Sequence, residues 1–150
     1  MNTCVKATFH IRKQKIPFYL SETPRDGKKV IFIILSEQVD TLCFIDPIVH
    51  NAIEGRFSLM VFCITNFEYV NGFFDIVRTK CKPDIMIVVS QGDGRNHAKF
   101  LANKKQNKID ALIFDSCYGD KVGNIPTLNT LFFSNYESEI ENFIRLIIDS

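Results

Sequence analysis

The feature that most constrains the fold of this chain is the segment 30–35, six consecutive apolar residues with no polar side chain among them. A strand that is apolar on both sides must be covered on both faces, which is typical of a parallel sheet between two layers of helices. Short apolar runs recur at 58–65, 84–90, 109–115 and 127–134. The segments between them carry apolar residues at helical spacing. This alternation predicts an α/β fold, a three-layer doubly wound sheet of about five mostly parallel strands of the flavodoxin type.

The remaining segments complete this predicted architecture. Helices are expected at 72–81, 96–106 and 137–149, and a further helix at 40–54 has to accommodate Pro47. Residues 1–28 differ, because two short apolar segments flank Lys13-Gln14-Lys15, and we expect a hairpin or an edge extension there. At 150 residues the chain has the size of one domain. Residues 29–150 are therefore predicted to form a single α/β domain that follows the extension.

Composition excludes several classes of partner. The 18 basic residues nearly cancel the 17 acidic ones, so the net charge favours neither nucleic acid nor a membrane surface. The five cysteines are odd in number and widely spaced, which is typical of reduced thiols and not of a disulfide framework. No apolar stretch reaches the roughly 18 residues that a membrane span needs. We expect a cytoplasmic protein, or the cytosolic part of a receptor.

Catalytic and cofactor-binding motifs are not evident in the loops that follow the predicted strands. The loop 36–40 has no glycine, which excludes a Walker loop or a dinucleotide fingerprint at that point. The third strand ends in Ser90 and not in the aspartate of a receiver domain. The loop 91–97 contains Gly92 and Gly94, and it has two interpretations: a tight turn capped by Asp93 or Asn96, or an anion-binding loop assisted by Arg95.

The side chains that could bind metal or act as nucleophiles are scattered in the sequence. His10, His50 and His97 lie in separate segments, so no metal site is predicted. Asp115, Ser116 and Cys117 could join His97 in a catalytic group, but nothing in their spacing requires it. We therefore predict no catalytic, cofactor-binding or metal-binding residues.

Two segments are candidates for contact with another protein. Residues 95–108 include no acidic residue, so the helix there is either a solvated basic face or a docking face for an acidic partner. The segment 66–69 carries two aromatic side chains that are either core residues or interface anchors. The predicted partner-binding residues are Asn66, Phe67, Glu68, Tyr69, Arg95, His97, Lys99, Lys104 and Lys105.

The order of the apolar segments resembles that of a known family. The segments 29–36, 83–90 and 109–114, with Ile125-Pro126-Thr127-Leu128 and the closing helix, are similar to the SEFIR branch of the Toll/interleukin-1 receptor superfamily, found in interleukin-17 receptors and their adaptors. Enzymatic members of that superfamily cleave NAD with a glutamate on the helix after the central strand. Residues 96–103 contain no carboxylate at that place. The resemblance implies a non-enzymatic signalling domain without a cofactor, which pairs with like domains in homo- or hetero-oligomers.

Two other resemblances remain open. Residues 82–88 followed by Gly92-Asp93-Gly94 are also similar to the amino-terminal lobe of nucleotide-sugar enzymes such as epimerases and two-lobed glycosyltransferases, which require a second lobe. The order of elements also resembles a small polymerase-accessory protein of uracil-glycosylase-like fold, although its catalytic motifs are not visible here.

Overall fold

The computed structural model describes residues 5–20, 27–37, 57–92, 94–105, 108–115, 129–133 and 137–149. Within them the chain forms one seven-stranded sheet. The strands are β1 (Val5–Ile11), β2 (Gln14–Leu20), β3 (Lys28–Leu35), β4 (Phe57–Ile64), β5 (Ile85–Ser90), β6 (Ala111–Asp115) and β7 (Asn129–Phe133). The helices are a 3₁₀ turn (Phe67–Tyr69), α1 (Val70–Cys81), α2 (Gly94–Lys104) and α3 (Glu137–Asp149).

The strand order is β1-β2-β4-β3-β5-β6-β7. Strands β3 to β7 are parallel, with β3 between β4 and β5. Strands β1 and β2 form a hairpin, and β2 pairs antiparallel with β4. The predicted α/β class, with about five mostly parallel strands and an N-terminal hairpin, is therefore confirmed. The division of the chain into an extension and a separate domain stays a prediction.

The apolar run of β3 is buried because its alternate side chains enter two different cores. Phe32 and Ile34 belong to the core that α3 covers with Ile144. Ile31 and Ile33 belong to the core on the opposite face, beneath α1 and α2. All six residues from Val30 to Leu35 are fully buried, as expected for a strand covered on both sides.

The hairpin is held by its turn and by aromatic packing. Arg12 and Lys13 both have positive φ, 49° and 74°, as a two-residue turn of the type that matches strand twist requires. Phe18 stacks on Phe62 of β4, with ring centroids 5.0 Å apart. Phe9 meets the same ring edge to face at 6.2 Å. The hairpin is therefore part of the packed sheet.

Polar contacts fix the amino-terminal edge of the sheet. The Asp84 carboxylate accepts a hydrogen bond from the backbone N–H of Lys29 at 2.8 Å. The Asp110 carboxylate accepts one from the N–H of Met86 at the same distance. These bonds join segments that lie far apart in sequence, and they leave the opposite, carboxyl edge available for function.

The helix boundaries differ slightly from the predicted ones. Helix α1 begins at Val70 and α2 at Gly94, each two residues earlier than predicted, because the tight turns before them already have helical hydrogen bonding. The helix predicted at 40–54 lies outside the described residues. None of the helices in the described ranges is long and apolar enough to cross a membrane.

Candidate functional site

The turn between β5 and α2 is the most constrained segment at the carboxyl edge of the sheet. The N–H of Gln91 donates to the carbonyl oxygen of Leu35 at 3.0 Å, which extends the pairing of β5 with β3. The N–H of Gly94 then donates to the Gln91 carbonyl at 3.1 Å, and that of Arg95 to the Gly92 carbonyl at 3.2 Å. The chain therefore passes from a central strand into a helix within a few residues.

Two glycines make this turn possible. Gly92 is exposed and has φ +55°, a left-handed conformation in which side chains with a Cβ are strained. Gly94 is buried, and an added Cβ would overlap the Leu35 carbonyl oxygen and lie 2.8 Å from the carbonyl carbon. The start of α2 therefore lies directly against the backbone of β3, which a larger residue would prevent.

The described part of this turn is similar in shape to a nucleophile elbow, in which a serine or similar residue projects from a sharp strand-to-helix turn between small residues. In this chain the small residues are Ser90 and Gly94, and the apex is Gly92. A Cβ built on Gly92 meets no atom within 4 Å, so the space for a side chain exists. Residue 92 itself supplies no nucleophile.

Two carboxylate-bearing residues flank the elbow along the carboxyl edge. Glu37 follows the end of β3 and is exposed. Asp115 ends β6, whose Phe114 is in register with Ser90. Because neighbouring strands are about 4.8 Å apart, the backbones of Glu37 and Asp115 lie on opposite sides of the β5 turn. The fold therefore brings two acidic residues of the sequence to the same edge of the sheet.

The sequence alone does not predict this arrangement. Its pattern favours either a capped turn or an anion-binding loop at 91–97, and nothing in it distinguishes Glu37. The available signal was the pattern Ser90-Gln91-Gly92-Asp93-Gly94, in which small residues alternate after a buried strand. This pattern is not recognised as the motif when glycine stands at the apex, since the motif is normally identified by its nucleophile. Asp93, Ser116 and Cys117 lie outside the described residues.

The two segments predicted to bind a partner lie side by side. The rings of Phe67 and His97 are in contact, with centroids 4.7 Å apart. Asn66 caps the 3₁₀ turn, and its side-chain oxygen accepts a hydrogen bond from the Glu68 N–H at 3.1 Å. The Arg12 guanidinium lies over the ring of Tyr69 at 5.2 Å. The segment 66–69 therefore lies against the start of α2. The role of these two segments in partner binding stays a prediction.

Part of the basic character of α2 is used within the chain. Arg95 is only 8% exposed. Lys105 forms an ion pair with Asp75 of α1, with Nζ 2.9 Å from Oδ1. Lys104 lies over the ring of Phe100 at 5.4 Å, and Lys99 is half-buried. The charge that reaches solvent is therefore smaller than the sequence suggests.

One thiol in the described part of the chain has a perturbed acidity. Burial raises the pKa of Cys81, at the end of α1, and the nearby charges of Lys29 and Lys80 oppose that effect. No group of three or more histidine, cysteine, aspartate or glutamate residues in the described ranges is placed to hold a metal ion.

Known proteins resemble this chain in structure and not in sequence. No protein-family model and no curated protein matches it. A protein from Thermoplasma acidophilum described as a predicted CIB-like hydrolase superimposes with a TM-score of 0.60 at 9% identity, over 99% of this chain and 98% of that one. The carboxylesterase CesB from Bacillus subtilis has a TM-score of 0.55 at 11% identity, over 76% of this chain and 43% of that one. An epoxide hydrolase mutant from Aspergillus niger has a TM-score of 0.54 at 13% identity, over 77% of this chain and 36% of that one. The chain thus spans almost all of the first protein and less than half of the other two.

These structures correct the family and function predicted from sequence. The resemblance to a SEFIR or Toll/interleukin-1 receptor domain was wrong, and so were the predictions of a signalling adaptor and of a non-enzymatic role, because the similar structures are hydrolases. The nucleotide-sugar lobe and the uracil-glycosylase-like alternative gain no support from them. What this chain shares with them is the fold over the aligned part of each chain. The chain is therefore a mostly parallel α/β protein whose fold is similar to that of these hydrolases.

Proposed function

We propose that this chain hydrolyses a carboxylic ester or a similar small electrophile at the carboxyl edge of β3, β5 and β6, with water as the attacking group. The observation that carries the proposal is the β5–α2 turn, which keeps the backbone of a nucleophile elbow while its apex, Gly92, has no side chain. A carboxylesterase and an epoxide hydrolase among the similar structures support this class of substrate.

The chemistry assigned to the site needs a base and a place for negative charge. Asp115 is the candidate base, because it ends β6, the strand next to β5. It takes a proton from water as the water oxygen attacks the carbonyl carbon. The resulting oxyanion lies near the amino end of α2, where the helix dipole favours negative charge. The carbon–oxygen bond to the alcohol then breaks, and Asp115 returns the proton to the leaving oxygen, which yields acid and alcohol.

The first experiment measures hydrolysis of p-nitrophenyl acetate and of styrene oxide by the wild-type chain and by Asp115→Asn. We expect kcat/KM for at least one substrate to fall by about 10²-fold or more in the variant, as is usual when a general base is lost. The matched control is Asp149→Asn, at the exposed end of α3, which should leave the rate unchanged. Absence of turnover above that of the heat-unfolded chain would reject the proposal.

A second experiment separates attack by water from a covalent route. Intact-mass measurement during turnover should detect no acylated wild-type chain. Gly92→Ser places a hydroxyl at the apex, at a strain of roughly 1–2 kcal/mol from the left-handed backbone. We expect this variant to acquire an acetyl adduct from p-nitrophenyl acetate. An adduct on the wild-type chain would contradict the assignment of water as nucleophile.

The proposed location is the cytoplasm. Cys63 is buried and Cys81 half-buried, and neither forms a disulfide among the described residues. Reduced cysteines favour a reducing compartment.

A further inference from the structure

A groove separate from the elbow lies between α1 and α2. Its volume is about 410 Å³, and it is bordered by Phe67 and Glu68 of the 3₁₀ turn, Asn71 of α1, and Asn96, His97 and Phe100 of α2. Pockets for small molecules usually measure about 300–1,000 Å³. This groove therefore has room for one fused ring with a small substituent, and not for a dinucleotide.

The walls of the groove are suited to a flat ring. Phe67 and His97 lie against each other with their ring planes tilted by 38°. Phe100 borders the same groove and is 57% exposed, although an aromatic ring of that size usually buries most of its surface. Aromatic walls of this kind favour stacking with a planar ligand, which would cover the exposed ring.

The polar groups of the groove indicate what such a ring should carry. Among the described residues, no donor bonds the Asn71 side-chain oxygen, which is buried, and a buried acceptor without a donor is unfavourable. Glu68 adds a carboxylate, which only accepts hydrogen bonds when ionised. The Asn96 amide can both donate and accept. A ligand that satisfies these groups presents N–H donors beside a ring nitrogen acceptor.

We propose that the groove binds an amino-substituted planar heteroaromatic compound of the purine-base class, with its amino group donating to Asn71 and its ring stacked against Phe67 and His97. This site is distinct from the hydrolytic one, and the proposal does not depend on catalysis. Its test is therefore a binding measurement, which can succeed or fail whether or not the chain hydrolyses esters.

The probe is 2-aminopurine, whose fluorescence is quenched when it stacks on an aromatic ring. The chain contains no tryptophan, so excitation above the tyrosine absorption band gives little protein background. We expect saturable quenching with the wild-type chain. Phe67→Leu should lose most of the quenching, and Leu146→Ala, at a position 71% exposed on α3 on the other side of the sheet, should bind like wild type.

Competition by adenine and by unsubstituted purine tests the amino-group contact. Adenine should displace the probe at about tenfold lower concentration than purine, the effect of one hydrogen bond of roughly 1.4 kcal/mol. Asn71→Leu should abolish that preference, and Asn71→Asp, which keeps an acceptor, should retain it. The proposal is overturned if the wild-type chain does not quench the probe saturably, or if Asn71→Leu still prefers adenine.

Discussion

Gly94 lies so close to β3 that an added methyl group has no space, since its Cβ would overlap the Leu35 carbonyl oxygen. Neither backbone can move without breaking strand or helix hydrogen bonds. We expect Gly94→Ala to lower the free energy of unfolding by about 3 kcal/mol, at the upper end of overpacking effects. Urea unfolding followed by circular dichroism measures the loss.

Gly72 supplies the matched control for that substitution. It lies in the first turns of α1, and a Cβ added there meets nothing within 4 Å. Gly72→Ala should stabilise the chain by roughly 0.5–1 kcal/mol, because alanine loses less backbone entropy than glycine in a helix. If both variants shifted the unfolding midpoint alike, the close approach of α2 to β3 would be wrong.

The acidity of Cys81 provides a second test at the scale of one residue. Burial raises its pKa above the ordinary 9.0, so the folded chain holds less thiolate at pH 8 than the unfolded chain does. Since the thiolate is the reactive form, we expect alkylation by iodoacetamide to be slower in the native chain than in urea and to accelerate as the pH rises above 9. Stability linked to this thiol is present below the unfolded pKa and is lost as the pH rises through the folded one.

Lys29 offers a check on the cause of that shift. Its positive charge lowers the pKa of Cys81 and so opposes burial. Lys29→Met should therefore slow alkylation further, whereas Lys108→Met, at an exposed position, should leave the rate unchanged. Peptide mass analysis after timed labelling assigns the rate to Cys81. Faster alkylation in Lys29→Met would contradict the assigned balance of charge and burial.

At the scale of elements, the hairpin depends on aromatic packing for its attachment. Phe9 meets Phe62 of β4 and also Phe73 of α1, the latter edge to face at 5.7 Å. Because Phe9 is half-buried, we expect Phe9→Ala to cost about 2 kcal/mol, below the range for a fully buried phenylalanine. The loss should fall on the hairpin more than on the parallel strands, since those are buried on both faces.

Hydrogen exchange followed by mass spectrometry can locate that loss. Under conditions where local opening dominates exchange, the amides of β1 and β2 should exchange faster in Phe9→Ala than in the wild-type chain. The exchange rates of the β5 amides should be unchanged. His10→Ala, an exposed position on the same strand, is the control and should leave all strands protected. Equal acceleration in the hairpin and in β5 would mean that the sheet opens as one unit.

The elements that were predicted correctly are those whose signal is local. The buried strands follow from runs such as 30–35, and the tight turn after Ser90 follows from Gly92 and Gly94. The order of the strands in the sheet depends on contacts between distant segments and has no local sequence signal. The parallel part, β4-β3-β5-β6-β7, has the order of a flavodoxin-type sheet. The pairing of β2 with β4 adds the antiparallel hairpin to that order, and the sequence around Tyr19 does not specify its partner.

The candidate site was less predictable for the same reason. Glu37 and Asp115 are far apart in sequence and flank one turn only because β3, β5 and β6 are neighbours. The contact of Phe67 with His97 also depends on how α1 and α2 pack. A prediction from motifs expects a nucleophile at the elbow, and here the backbone is present while that side chain is absent.

At the scale of the whole molecule, the sheet lies between two cores formed by the described residues. Ile144 of α3 packs in one core and Ile33 of β3 in the other, and each is almost completely buried. Replacement of either by valine removes one methylene and should cost about 1 kcal/mol. A domain of this size has roughly 5–15 kcal/mol of stability, so both variants should stay folded and measurable.

We expect the two losses to add within about 0.5 kcal/mol in the double variant, because the side chains share no contacts across the sheet. We also expect a single unfolding transition, with far-ultraviolet circular dichroism and tyrosine fluorescence giving the same midpoint, since both cores depend on β3. Ile34→Val combined with Ile144→Val is the comparison within one core, where the losses need not add. Two separate transitions would mean that α3 and its core unfold independently, and the sheet would then not couple the proposed hydrolytic edge to both helical layers.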